Sequence, residues 1–238
     1  MQLAGVGGPI VGGPGDEVTT SIDDLDALQI QTHPLVAVKI SELRDKNTTP
    51  QRFRQLIHEI TRFLGADASK NLSLAPVTGL ETPLAPYTGW ALGEKVGLAP
   101  ILRAGIQMTD AMLEHFPYAQ TFHLGLFRDK HNFTPTEYYS KLPSNLNERV
   151  DIVYLLDPVV ATGGTACAAV AMLQDAGVPI ANIKLLCVIA SMPGLQQILS
   201  KCPGLDIYVA AVDQELNDHG MISPGIGDCG DRLFLTFT

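Results

Sequence analysis

Residues 151–173 read DIVYLLDPVVATGGTACAAVAML. An apolar run, Ile152 to Leu156, has the length of a buried strand and ends in an acid, Asp157. A Thr- and Gly-containing loop follows, and then a helical pattern whose first turn is made of small residues, Ala166, Cys167 and Ala168. Gly163 and Gly164 can take positive φ and let backbone amides converge, and Thr162 and Thr165 add hydroxyls beside the positive end of the helix dipole. A loop of this kind can cradle a single phosphate group. Asp157 would repel that phosphate but suits ribose hydroxyls or a magnesium ion next to it. No Lys follows the glycines, which excludes a Walker A loop. Composition alone also allows an ordinary turn between strand and helix.

Outward from this stretch the chain alternates. VGLAPIL (96–102), TFHLGLF (121–127), IKLLCVIA (183–190) and DIYVAAV (206–212) read as strands. AGIQMTDAMLEHF (104–116), ACAAVAMLQDAG (166–177) and LQQILSK (195–201) read as helices. Such alternation builds βαβ units, and the expected fold is α/β, an open and mostly parallel sheet with helices on both faces. Before it, PLVAVKISELRDK (34–46) has helical spacing, and Thr49-Pro50 supplies an N-cap and first-turn proline for QRFRQLIHEITRFLG. Phe53, Leu56, Ile57, Ile60, Phe63 and Leu64 fall on one face of that helix, and Gly65 is expected to end it. Residues 66–94 are polar with many Pro and Gly and read as loops and short strands. Residues 1–30, Gly/Pro-rich and then acidic, read as a flexible N-terminal arm to a single domain over 31–238.

Ligands of such sheets bind beyond the carboxyl ends of the strands, and further motifs lie there. PILRAG (100–105) follows one strand and LFRD (126–129) ends the next, so Arg103 and Arg128 each offer a planar fork that can grip phosphate oxygens. Either Arg alone is equally consistent with a surface ion pair. The polar insertion between Arg128 and Arg149, with Tyr138 and Tyr139, reads as a lid or a plain surface hairpin. Last comes VDQELNDHGMISPGIGDCGDRLFLT (212–236). Its GIGDCG matches GxGxxG, yet only eight residues remain after Gly230, too few for a dinucleotide fold. A Gly-rich loop there can instead bring bare amides and carbonyls up to a flat ligand. His219 reads as a turn residue.

DPVVATGGT resembles the 5-phosphoribosyl pyrophosphate (PRPP) loop of type I phosphoribosyltransferases, and the single acid followed by proline resembles their uracil-specific branch. PILRAG is similar to the pyrophosphate loop of that branch, LFRDK to its second pyrophosphate contact, the following insertion to its hairpin lid, and the C-terminal stretch to its base-binding loop. The resemblance implies uracil phosphoribosyltransferase activity, uracil plus PRPP giving UMP and pyrophosphate, in pyrimidine salvage. It implies PRPP contacts from Arg103, Arg128, Asp157, Pro158, Val159, Val160, Ala161, Thr162, Gly163, Gly164, Thr165 and Asp228, and uracil contacts from Val159, Ala161, Ile222, Gly227, Asp228 and Cys229. Arg103, Arg128, Asp157 and Asp228 would carry the catalytic work, with Mg²⁺ held mainly through PRPP. Cys229 stands where alanine is expected, so its thiol would narrow the pocket. Homodimers or homotetramers, and activation by GTP in some members, also go with the resemblance.

Charge and composition set limits. Sixteen Lys and Arg against 25 Asp and Glu give a net charge of −9 in 238 residues, which disfavours nucleic acid as a partner but not a local anion site. No apolar run reaches a membrane span, and the four cysteines sit singly without CxxC spacing, which fits a reducing cytoplasm. Two rivals remain: a phosphoribosyltransferase for another base, and a uridine-nucleotide-sensing regulatory protein on the same fold.

Overall fold

The computed structural model describes residues 27–128 and 135–236. The chain opens with a short strand β1 (Leu28–Ile30), followed by α1 (Pro34–Arg44) and α2 (Pro50–Ser69). Next come β2 (Leu74–Glu81), β3 (Pro86–Leu92), β4 (Val96–Leu102) and α3 (Ile106–His115). β5 (Gln120–Thr121), β6 (Leu124–Arg128) and β7 (Pro135–Ser140) precede β8 (Ile152–Leu156), β9 (Val159–Val160) and α4 (Gly164–Asp175). β10 (Ile183–Ser191), α5 (Met192–Lys201) and β11 (Asp206–Asp213) complete the alternation, and β12 (Glu215–Leu216), β13 (Ile222–Ser223) and α6 (Cys229–Phe234) form the C-terminal segment.

The main sheet runs β1-β11-β10-β8-β4-β6-β7, with β5 on β4 and β9 on β10. All of its pairings are parallel except β6 with β7. Both faces are covered, as a parallel sheet requires. Along β8, Ile152, Tyr154 and Leu156 turn to one face with α1, α2 and α3, whereas Val153 and Leu155 turn to the other with α4 and α5. The sheet therefore divides two apolar cores. The expected α/β architecture with helices on both faces is what the chain adopts.

Four local expectations need correction. Leu28–Ile30, assigned to the arm, adds a strand beside β11, pairing Leu28 with Ile207 and Ile30 with Val209; residues 1–26 of the arm lie outside the described residues. Helix α2 does not stop at Gly65 but runs to Ser69. Glycine is there because α3 passes close by: a Cβ would stand 2.7 Å from Met112 Sδ and 2.9 Å from His115 Cδ2. Residues 66–94 hold the tail of α2 and an antiparallel hairpin, β2 with β3, whose register shifts between Val77 and Leu80 and which is separate from the main sheet. The hairpin leaves Trp90 and Leu84 exposed. The strand read over 121–127 is also interrupted, since β5 pairs with Gly97 and Leu98 and β6 resumes at Ile101 and Leu102.

The start and the buried face of α2 follow the sequence closely. Thr49 caps α2 by accepting from the Arg52 amide, with Pro50 in the first turn. Phe53, Leu56, Ile57, Ile60 and Leu64 are buried on the face that meets the sheet.

Candidate active site

One cleft of about 350 Å³ opens where β4, β8 and the C-terminal segment converge at the carboxyl edge of the sheet. Arg103 comes from the turn after β4, while Asp157, Val159, Ala161 and Thr165 come from the segment joining β8 to α4. Ile222, Gly227, Asp228 and Cys229 close the far side. Residues more than a hundred positions apart, singled out separately in the sequence, thus line a common space.

The segment after β8 is held by backbone bonds. Pro158 O accepts from the amides of Val188 and Ile189, and the Asp157 amide donates to Leu186 O, so the loop is anchored to β10. Val160 pairs with Ala190 and its side chain enters the core beneath α4, so among the expected contacts Val160 and Pro158 support the loop rather than wall the cleft. Gly163 has φ +79° and immediately precedes α4. A Cβ on it would stand 2.5 Å from Gly194 O and 3.0 Å from Ile198 Cγ1, so the loop turns tightly against α5. The amides that follow are those of the first turn of α4, where a helix terminus favours an anion. Ser191 ties the two together, donating its hydroxyl to Ala161 O and accepting from the Gly194 amide at 2.9 Å.

Arg103 is exposed at the mouth of the cleft. Its guanidinium lies 5.8 Å from the centroid of the Phe234 ring, and Nη1 donates to Thr236 Oγ1 at 3.5 Å. Gly105, behind it, admits no side chain: a Cβ would meet Leu156 O at 2.4 Å and Ile101 O at 2.6 Å. Arg128 ends β6, its backbone paired with Pro135 of β7, and the expected lid is this antiparallel β6–β7 pair. Residues 129–134 of that insertion lie outside the described residues.

The C-terminal segment is irregular but tightly bound. Asp228 is the N-cap of α6, Oδ1 accepting from the Asp231 amide at 2.8 Å. A Cβ on Gly230 would stand 3.3 Å from Asp228 Oδ1 and 3.5 Å from Arg103 Nη2, so a side chain there would crowd the space between acid and guanidinium. Gly225 and Gly227 take φ +58° and +71°, the left-handed region. The Cys229 thiol is buried, and burial, with Asp157 and Asp228 adding to it, pushes its ionisation well above the ordinary range. Burial and Asp157 do the same to Cys187 behind the loop. Both cleft carboxylates thus act on one thiol, which sets them on the same small region.

Sequence reading missed several contributors. His219, Gly220 and Met221 also line the cleft. Asn217 Oδ1 accepts from the His219 and Met221 amides, each at 3.0 Å, which shapes that turn. Arg44, Asp213 and Arg232 hold the segment from behind. The Asn217 turn was open to a reader alert to Asn side chains in loops; the other three are joined only in three dimensions.

A tight glycine turn into the N-terminus of α4, a guanidinium at the mouth of the cleft, two carboxylates and a wall that carries Gly227 and Gly230 match the layout expected of a phosphoribosyltransferase. The chain belongs to the uracil phosphoribosyltransferase family, whose model matches residues 30–236. It is 46% identical over 205 residues to the uracil phosphoribosyltransferase of Brevibacillus brevis, covering 86% of this chain and 96% of that one. It is also 46% identical over 210 residues to that of Desulfitobacterium hafniense, covering 88% and 98%. Among solved structures, the AQ2163 protein of Aquifex aeolicus superposes with a TM-score of 0.81 at 32% identity, covering 88% of this chain and 98% of that chain. The activity is therefore pentosyl transfer to uracil, and the rivals raised from sequence are set aside.

Proposed function

We propose that the cleft performs this transfer by positioning and charge stabilisation, without a covalent nucleophile. In this reading the loop from Asp157 to Thr165 holds the ribose 5-phosphate of PRPP, its amides and hydroxyls on the phosphate and Asp157 on the ribose hydroxyls. Arg103 and Arg128 hold the pyrophosphate and stabilise the charge that gathers on it as the anomeric C–O bond lengthens. Uracil lies between Ile222, Gly227, Asp228 and Cys229 on one side and Val159 and Ala161 on the other, recognised largely by backbone. What carries the proposal is the convergence of these segments on one cleft with Arg103 at its mouth.

Among the described residues no group of three or more His, Cys, Asp or Glu is arranged to hold a metal ion. The cleft does offer two carboxylates, Asp157 and Asp228, a donor set that suits a Mg²⁺ ion arriving on PRPP with substrate oxygens and water as its remaining ligands. Bound in that way, Mg²⁺ supplies charge neutralisation on the pyrophosphate. Asp228 is, in this reading, the acceptor of the proton that uracil loses. A homodimer or homotetramer, GTP as an activator and a cytoplasmic site complete the proposal; no helix among the described residues is long and apolar enough to cross a membrane.

The test is pyrophosphate release from PRPP and Mg²⁺ with uracil, orotate, cytosine, hypoxanthine or adenine in separate reactions. Release with uracil alone is expected. Arg103→Ala should then lower kcat/KM for PRPP by about 100-fold or more, in line with loss of a donor to developing charge. Equal activity of that variant would remove Arg103 from the mechanism.

A further inference from the structure

The segment that carries Gly227, Asp228 and Cys229 has little regular structure of its own, since β12 and β13 pair over only two residues each. It is gripped instead by three charged side chains from behind the cleft. Asp213, the last residue of β11, is 7% exposed and has both carboxylate oxygens engaged. Oδ1 accepts from Arg44 Nη2 at 2.6 Å, and Oδ2 accepts from Arg44 Nη1 at 2.8 Å and from the Gly225 amide at 2.9 Å. Arg44 Nη1 also donates to Gly225 O at 2.9 Å. The ion pair therefore holds both the N–H and the C=O of a residue that stands in the left-handed region, two positions before Gly227.

Arg232 takes the next residue. Its Nη1 donates to Ile226 O at 2.9 Å and to Leu43 O at 2.8 Å, and Nη2 donates to Asp45 O at 2.7 Å. The guanidinium lies 4.2 Å from the centroid of the buried Phe53 ring. Apart from Ile226, which lines the cleft, these contacts lead to the C-terminal end of α1, to the turn after it and to α2.

We infer that Arg44, Asp213 and Arg232 are positioning residues for base recognition: they hold residues 225 and 226 so that Gly227, Asp228 and Cys229 present a preformed surface to uracil. The inference rests on the reading of this segment as the base loop. A loop released from its clasp samples other conformations, and apparent affinity for the base falls by the fraction of time it spends in the competent one. Loss of a charge-assisted hydrogen bond corresponds to about 10- to 100-fold in such an equilibrium. PRPP, held mainly from β4 and α4 with Asp228 alone on this segment, should share much less of that loss.

Arg44→Met and Arg44→Lys decide the matter, with KM for each substrate, kcat at saturation and thermal midpoint all measured. The methionine variant is expected to raise KM for uracil about 10- to 100-fold. KM for PRPP should rise no more than about a quarter as much, through Asp228 alone, and kcat at saturation of both substrates should stay within about twofold. The lysine variant should recover part of the loss, because a point charge still neutralises Asp213 but cannot span both carboxylate oxygens and Gly225 O. If both KM values stay unchanged while activity falls in step with the folded fraction, Arg44 is only structural and the inference fails. Where Arg44→Met gives no folded protein, an unchanged uracil KM in folded Arg44→Lys overturns it, and a selective rise supports it. Gly227→Ala, run in parallel, separates the two readings. A raised uracil KM there with none in the Arg44 variants sinks the clasp alone; no rise in any of them sinks the base loop itself.

Discussion

Adding one methyl group at Gly163 should damage the enzyme on the phosphate side only. The residue stands at φ +79°, where an L side chain costs about 1–2 kcal/mol. The new Cβ would also lie 2.5 Å from Gly194 O, short of ordinary contact by about 0.9 Å, and its neighbour is backbone that cannot swing away. Overpacking of that kind adds roughly 1–3 kcal/mol. The combined loss, roughly 2–5 kcal/mol, corresponds to a fall in thermal midpoint of roughly 5–15 °C for a chain of this size. Gly204→Ala is the control for the backbone contribution, because φ there is +90° yet the nearest atom, Ile180 Cγ2, is at an ordinary 3.6 Å. The difference between the two variants isolates the clash that pushes the phosphate loop away from α5. In the pyrophosphate-release assay Gly163→Ala should raise KM for PRPP by about tenfold or more, with KM for uracil within about twofold. A midpoint no lower than that of Gly204→Ala, together with an unchanged KM for PRPP, would refute this account of the loop.

Asp228→Asn should keep its fold, with a thermal midpoint within about 2 °C, because asparagine caps a helix as well as aspartate does. Turnover should nevertheless drop; turnover that is unchanged across pH with substrate binding intact would end the role of Asp228 as proton acceptor. Cys202, buried and beside Cys167, has its pKa pushed up to about 12 by burial first and Cys167 second. Because the thiol is raised from an unfolded value near 8.5, its contribution to stability is whole below about pH 8.5 and is lost as pH rises towards 12. Denaturant titrations between pH 8 and 10 should show that decline lessened in Cys202→Ala. Iodoacetamide at pH 8 should label Cys167, the one cysteine that is not buried, and spare Cys187, Cys202 and Cys229 in the native enzyme, as peptide mass mapping would reveal.

The parts of the fold that sequence made legible are those whose burial is one-dimensional. Strands such as Ile152–Leu156 and Ile183–Ser191 are buried along their length and therefore read as apolar runs, the second interrupted only by Lys184 and closed by Ser191. The passage from β8 through Gly163 into α4 was legible because its signal is local, a few residues between a strand and a helix. The β2–β3 hairpin was not, since it buries almost nothing and carries no alternation to read. Gly65 misled because a helix-ending residue was selected for the passage of α3, a neighbour that local pattern does not show. The clasp was hidden for a similar reason: Arg44 and Asp213 are 169 residues apart and meet only through the β-sheet. Placing Arg103, Asp157 and Asp228 near one another required the topology as well as the motifs.

The division of the interior into two cores has a consequence for how such a chain can change. Ile222, Ile226, Cys229 and Leu233 are rooted in the core shared with α1, α2 and α3, while Ala166, Ala169 and Val170 of α4 are rooted in the core on the other side of the sheet. The two walls of the cleft rest mainly on different cores, with Val159 and Ala161 packed against the first. Repacking beneath one wall can reshape what that wall grips while the other keeps its form, so an ancestor with this layout could exchange one nucleobase for another by drift in half of its interior, its hold on the activated sugar inherited intact.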